Sequence, residues 1–106
     1  MNEKKIMSLL GLAFRAGKVV SGEFAVKEAI RGNTAKLVIV AGDASDNTRK
    51  LFHDKGSFYH VPIVDVGDKQ MLGKALGKQE RAVAAVLDEG FAAKILEMTD
   101  KKQEVR

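Results

Sequence analysis

Two pairings of glycine with lysine are the first groups in this chain that suggest phosphate chemistry. The segment GKALGK has three residues between Gly73 and Gly77 where a Walker-type loop needs four, and Gln79 follows where Ser or Thr must hold magnesium. The segment GLAFRAGK has five residues between Gly11 and Gly17, inside a stretch of helical periodicity. Nucleotide hydrolysis is therefore not expected. His53 and His60 are the only histidines and lack zinc spacing, so a solvated helix position and a strand-edge position are expected for them. Asp43 and Asp46 would suit a hard cation, but acids in a turn leading into a helix are explained by capping alone. There is no cysteine, and no serine has a convincing base beside it. No enzyme activity, metal or cofactor is expected.

Recognition chemistry is better represented. The stretch SGEFAVKEAIRGN opens a helix with a glycine, an acid and an aromatic. Helix N-termini present unpaired N–H groups and partial positive charge, which attract phosphates and base-edge acceptors. Gly22 has no side chain to obstruct an approaching backbone. Lys27 follows Glu23 by one turn and can pair with it or reach a phosphate. Gly22 is equally a turn residue, and Glu23 is an acid favoured at any helix start. A second group, Gly77, Lys78, Gln79, Glu80 and Arg81, forms a loop before the last strand that an alternating fold can set beside Gly22. Amide donors and cations then converge on one place.

The elements that must position these groups follow from periodicity. Ile6, Leu9, Leu10 and Ala13 mark the buried face of a first helix that stops near Gly17. Lys18 to Val20 predicts a short strand. Ser21 or Gly22 caps a second helix, whose inner face is Ala25, Val26, Ala29 and Ile30. The β-branched run Lys36 to Ala41 predicts a central strand covered on both faces. A third helix carries Leu51 and Phe52 behind a cap at Ser45 or Asp46. YHVPIVDVG predicts an edge strand or strand entry because of Pro62. Asp68 opens a short helix, RAVAAVLD is the last strand, and EGFAAKILEM is the last helix. The alternation implies an α/β fold, a three-layer α/β/α sandwich with a mixed sheet of about four strands. Residues 1–98 are expected to form one domain, and the charged tail 99–106 to fray.

The chain has 106 residues and 45% hydrophobic content, enough to close one core. Its net charge of +4 is concentrated in residues 1–36, which hold seven Lys/Arg against three Glu. That excess points mildly to a polyanionic partner. No run approaches the roughly 18 apolar residues of a membrane helix, so a cytoplasmic protein that does not enter membranes is expected, most simply as a monomer.

Three segments together, GEFAVKEAIRGNTAKLVIVAGDAS, VPIVDVGDKQMLGKALGK and AVAAVLDEGFAAKI, resemble the ribosomal protein L7Ae/L30e family, and LLGLAFRAGKVVSGE resembles its small bacterial members. The resemblance covers residues 5–96. It implies an α/β/α sandwich that binds structured RNA, ribosomal or otherwise, often a kink-turn with sheared G·A pairs. Gly22 would be the glycine of close approach, Lys27 the lysine aimed at base edges and phosphate, and Lys36 a further backbone contact. Gly77 to Arg81 would cover an extruded nucleotide. Two departures stand out. Glu23 and Phe24 occupy positions where kink-turn binders commonly carry Asn-Glu or Lys-Gln. Glu23 accepts a hydrogen bond but cannot donate one as an amide does. Phe24 can stack on a base or turn inward as core, and the inward placement is the expectation. Glu80 adds an acid to the covering loop. A protein-interaction adaptor on the same fold, with Phe24 as its apolar anchor, is the alternative reading.

Overall fold

The computed structural model describes residues 2–103. Five helices and four strands alternate as α1 (Glu3–Arg15), β1 (Val19–Ser21), α2 (Glu23–Arg31), β2 (Leu37–Val40), α3 (Asp46–Tyr59), β3 (Ile63–Asp65), α4 (Lys69–Ala75), β4 (Val83–Val86) and α5 (Glu89–Gln103). The strands form one mixed sheet in the order β1-β4-β2-β3, with β4 antiparallel to both its neighbours and β2 parallel to β3.

The run Leu37–Val40 is central and entirely buried because its alternate side chains enter different layers. Leu37 and Ile39, with Ala84 and Val86, pack against Ile6, Leu10, Leu72 and Ile95 of α1, α4 and α5. Val38 and Val40, with Val83 and Ala85, pack against Val26, Ile30 and Phe52 of α2 and α3. Period-two side-chain alternation thus divides one apolar run between two half-cores, which is the three-layer sandwich. Each fully buried Ile or Phe contributes about 1.5–3 kcal/mol relative to exposure.

Several local expectations are corrected. Ala25 and Leu9 are only half-buried, while Met7 joins the α1 core face. Tyr59 and His60 do not belong to a strand. Helix α3 runs through Tyr59, and His60 is its C-cap, in left-handed geometry (φ 61°, ψ 43°), with the Val61 N–H closing back on the Gly56 carbonyl. The β3 strand proper starts at Ile63, after Pro62, and lies at the sheet edge. Helix α5 continues to Gln103, so the helix enters the segment expected to fray. The last residues of that tail lie outside the described ones.

Candidate nucleic-acid interface

Strands β1, β2 and β3 all point the same way, and each is followed by a helix. The N-termini of α2, α3 and α4 therefore gather at one end of the sheet, outside the strands' carboxyl ends, where α/β folds place their ligands. The loop Gly77–Arg81 enters β4 at this same end.

The three helix ends are not equivalent. At α3 the Ser45 hydroxyl accepts the Thr48 N–H at 3.1 Å. At α4 the Asp68 carboxylate accepts the Met71 N–H at 2.8 Å, and Asp43 accepts the Lys69 N–H at 2.9 Å. Asp43 and Asp46 are thus split, since Asp43 serves α4 while Asp46 lies 3.7 Å from Arg49. Helix α2 begins at Gly22, which supplies no side-chain cap. Its first internal bond runs from the Val26 N–H to the Gly22 carbonyl. The N–H groups of Glu23, Phe24 and Ala25 find no acceptor among the described residues, so α2 is the open end.

Gly22 has φ 92° and ψ 153°, a conformation essentially confined to glycine, and a Cβ there would meet open space. Backbone geometry, rather than crowding within the protein, requires glycine at this position. Its N–H donates to the Val83 carbonyl at 3.0 Å, joining the helix start to β4. Arg81, half-buried, reinforces the junction. Its Nε donates to the Ser21 hydroxyl at 3.3 Å, and a terminal guanidinium nitrogen donates to the Glu80 carbonyl at 3.0 Å. Of the loop Gly77–Arg81, it is Arg81 that meets the β1–α2 junction.

The loop can fold back over α4 because of Gly73. A Cβ at that position would lie 2.1 Å from the Gln79 carbonyl oxygen, and the Gly73 carbonyl accepts the Lys78 N–H at 2.9 Å. Gly77, Lys78, Gln79 and Glu80 are exposed. The Lys78 ammonium stands 5.3 Å from the Phe14 ring centroid, toward α1 and away from α2. That contact adds about 0.5–1 kcal/mol at an exposed site.

Phe24 is 78% exposed, against the expectation of an inward core position. The inner face of α2 is already filled by Val26, Ala29 and Ile30, and position 24 falls on the opposite side of the helix. Glu23 does not pair with Lys27. One of its carboxylate oxygens accepts the Thr48 hydroxyl at 3.1 Å, and Thr48 in turn accepts from Ser45 at 3.0 Å. Lys27 is half-buried and forms no ion pair among the described residues. Lys36 is not brought to this end. It precedes β2 at the far end of the sheet, about 10 Å along the strand, with its ammonium 4.0 Å from Glu89. Thr48 and Ser45 also stand at this end of the sheet. Their spacing signals a helix cap, but no local pattern links Thr48 to an acid 25 positions earlier. His53 is exposed on α3, 2.9 Å from Asp65.

With this geometry in place, comparison with known proteins decides the lineage. The model of the ribosomal protein L7Ae/L30e/S12e/Gadd45 family matches residues 4–97. The chain belongs to that family. Within the L7Ae group it is similar to the RNA-binding protein YlxQ of Bacillus subtilis, at 50% identity over 87% of this chain and 92% of the relative. It is also similar to the protein of the same name in Enterococcus faecium, at 42% identity over 93% and 95%. A solved structure of a Bacillus halodurans protein of unknown function superposes with a TM-score of 0.87 at 44% identity, covering 91% of this chain and 97% of that one. The two YlxQ relatives are named as RNA-binding proteins, not as enzymes, and the matching family is one of ribosomal proteins.

Proposed function

We propose that the protein binds structured RNA, with a kink-turn as the target class, through the open end of α2 and the Gly77–Arg81 loop. The observation that carries this reading is the asymmetry of the three helix ends: α3 and α4 are capped by the protein's own side chains, while α2 is not. The free N–H groups of Glu23 to Ala25 supply donors for phosphate or base acceptors. Lys27 supplies charge one turn further in. Glu23, oriented by Thr48, keeps lone pairs to accept from a guanine N–H. Phe24 offers a π-face to an unstacked base, a mode open to RNA whose bases are splayed from the helix. Lys36, at the far end of the sheet, is left out of this contact set.

The names of its relatives and the concentration of cations in residues 1–36 support an RNA partner, and the family's ribosomal members support association with the ribosome. Among the described residues no helix is long and apolar enough to cross a membrane. We place the protein in the cytoplasm, acting as a monomer.

The test is a titration against a kink-turn RNA and a matched duplex lacking the G·A pairs, at two salt concentrations. Selective, salt-dependent binding is expected, and loss of affinity in the folded double variant Lys27→Glu/Arg81→Glu. Equal binding to both RNAs removes the kink-turn as target, and undiminished affinity of the double variant removes the site. The exposure of Phe24 also favours a second reading, an adaptor that anchors a protein through this ring. Salt-tolerant protein binding with no RNA affinity would select it.

A further inference from the structure

The failed phosphate-loop motif around Gly11 lies in a second concavity, on the layer of the sandwich opposite α2. Helices α1 and α4 approach closely at Gly11, where a Cβ would stand 3.0 Å from the Ala75 carbonyl oxygen. Their other side chains diverge to leave a groove of about 630 Å³. Its floor is aliphatic and thioether, with Met7 and Leu12 from α1 and Met71 from α4, and Leu12 is 49% exposed. The charged residues lining it are Lys4, Arg15 and Lys74, all cations. None of the three is ion-paired among the described residues, and no acid lines the groove to offset them.

We propose that this groove is a docking site for an acidic amphipathic helix of a partner protein. Lys4 and Arg15 mark its two ends, eleven residues apart on α1 and thus about 16 Å, or three helical turns. A helix presenting apolar residues at i, i+3, i+4 and i+7, flanked by Asp or Glu, matches this arrangement of apolar floor and cationic rim. Methionines suit such a floor because their unbranched side chains adapt to different apolar shapes. A nucleic acid fits less well, because no aromatic side chain lines the groove to stack a base. The surface is distinct from the α2 end, although it shares Met71 and Lys74 with the cleft beside Gln79 and Glu80. A partner seated here would lie next to bound RNA.

The experiment uses the full chain with ¹³C-labelled methionine methyls. The probe is a synthetic peptide of about fourteen residues, with leucines at helical spacing and glutamates at both ends. A permuted peptide of the same composition, lacking the periodicity, is the control. Saturable shifts at Met7 and Met71 but not at Met98 on α5 are expected, with affinity falling about tenfold in Leu12→Glu and in Lys74→Glu. RNA affinity of Leu12→Glu should stay within about twofold of the parent, which also reports that the variant folds. The proposal is overturned if neither methyl responds or if the permuted peptide acts equally. It is also overturned if RNA alone moves Met7 and Met71, or if raising protein concentration alone does so.

Discussion

Removing the ring at position 24 isolates the stacking contact of the proposed interface from its hydrogen bonds and charges. Phe24 is 78% exposed at the first turn of α2, so Phe24→Ala deletes almost no native packing. Alanine is the better helix former by a few tenths of a kcal/mol. Stability should therefore hold steady or rise slightly. Stacking of a base on an aromatic side chain is worth about 1–3 kcal/mol by alanine substitution. At about 1.4 kcal/mol per tenfold, the RNA dissociation constant should increase between about fivefold and a hundredfold. Phe24→Tyr keeps a π-face and should stay near the parent. Phe24→Leu keeps apolar area without the π-face and should resemble alanine. Phosphate contacts are untouched, so the slope of log affinity against log salt should not change. Fluorescence anisotropy with a labelled kink-turn RNA at several salt concentrations reads the three affinities and the salt slope, and a thermal melt reads the stability. An alanine variant within twofold of the parent would refute base stacking. A leucine variant at full affinity would show that apolar area alone matters, as in a protein anchor.

Other perturbations separate backbone geometry from contact chemistry. Gly22→Ala forces a Cβ into a conformation with φ 92° and should cost about 1–3 kcal/mol of stability; a urea midpoint equal to the parent's would contradict that. Thr48→Val removes the hydroxyl that orients Glu23 and should weaken RNA binding severalfold while costing about 1 kcal/mol of stability, so isothermal titration and thermal melts must both be measured, and unchanged affinity would mean that Glu23 does not need this bond. Lys27→Gln should lower the salt slope by about 0.7–0.9 if the ammonium neutralises one phosphate, and an unaltered slope would remove it from the phosphate contacts. Gly73→Ala drives a methyl into the Gln79 carbonyl and should displace the covering loop, seen as amide shifts over residues 77–81 and reduced RNA affinity; unmoved loop amides would exclude this packing role.

The parts of this molecule legible in its sequence are those set by periodicity. The β-branched run at Leu37–Val40 announced a two-sided central strand, and the alternation of elements announced the three layers. Pro62 marked the edge because it cannot donate to a ladder. What escaped was set by individual tertiary contacts. His60 looked like strand until it was seen in the left-handed turn that ends α3. Phe24 was expected in the core because it is a large apolar residue, yet its phase on α2 differs from that of Val26 and Ile30. Glu23 appeared free to pair with Lys27, but Thr48 from another helix engages it first. Lys36 lies close to the second helix in sequence and far from its open end in space, since α2 runs the length of the sheet before β2 begins.

The arrangement of strands explains why the proposed interface falls at one end of the sheet. Because β1, β2 and β3 are parallel, α2, α3 and α4 all start there, and three positive dipole ends converge. The protein caps two of them with Ser45, Asp68 and Asp43, and Glu23 is joined to α3 through Thr48. The remaining donors at α2 face outward beside Lys27 and the loop that Arg81 holds against Ser21. A negatively charged ligand approaching that end meets unpaired amides at α2, while Asp43 and Asp68 accept N–H groups of α4 and one Glu23 oxygen accepts the Thr48 hydroxyl. The tight loop over Gly73 gives the surface its second wall. In the proposed interface, recognition therefore depends on which helix end is left uncapped, and glycine at position 22, which supplies no side-chain cap, leaves α2 open.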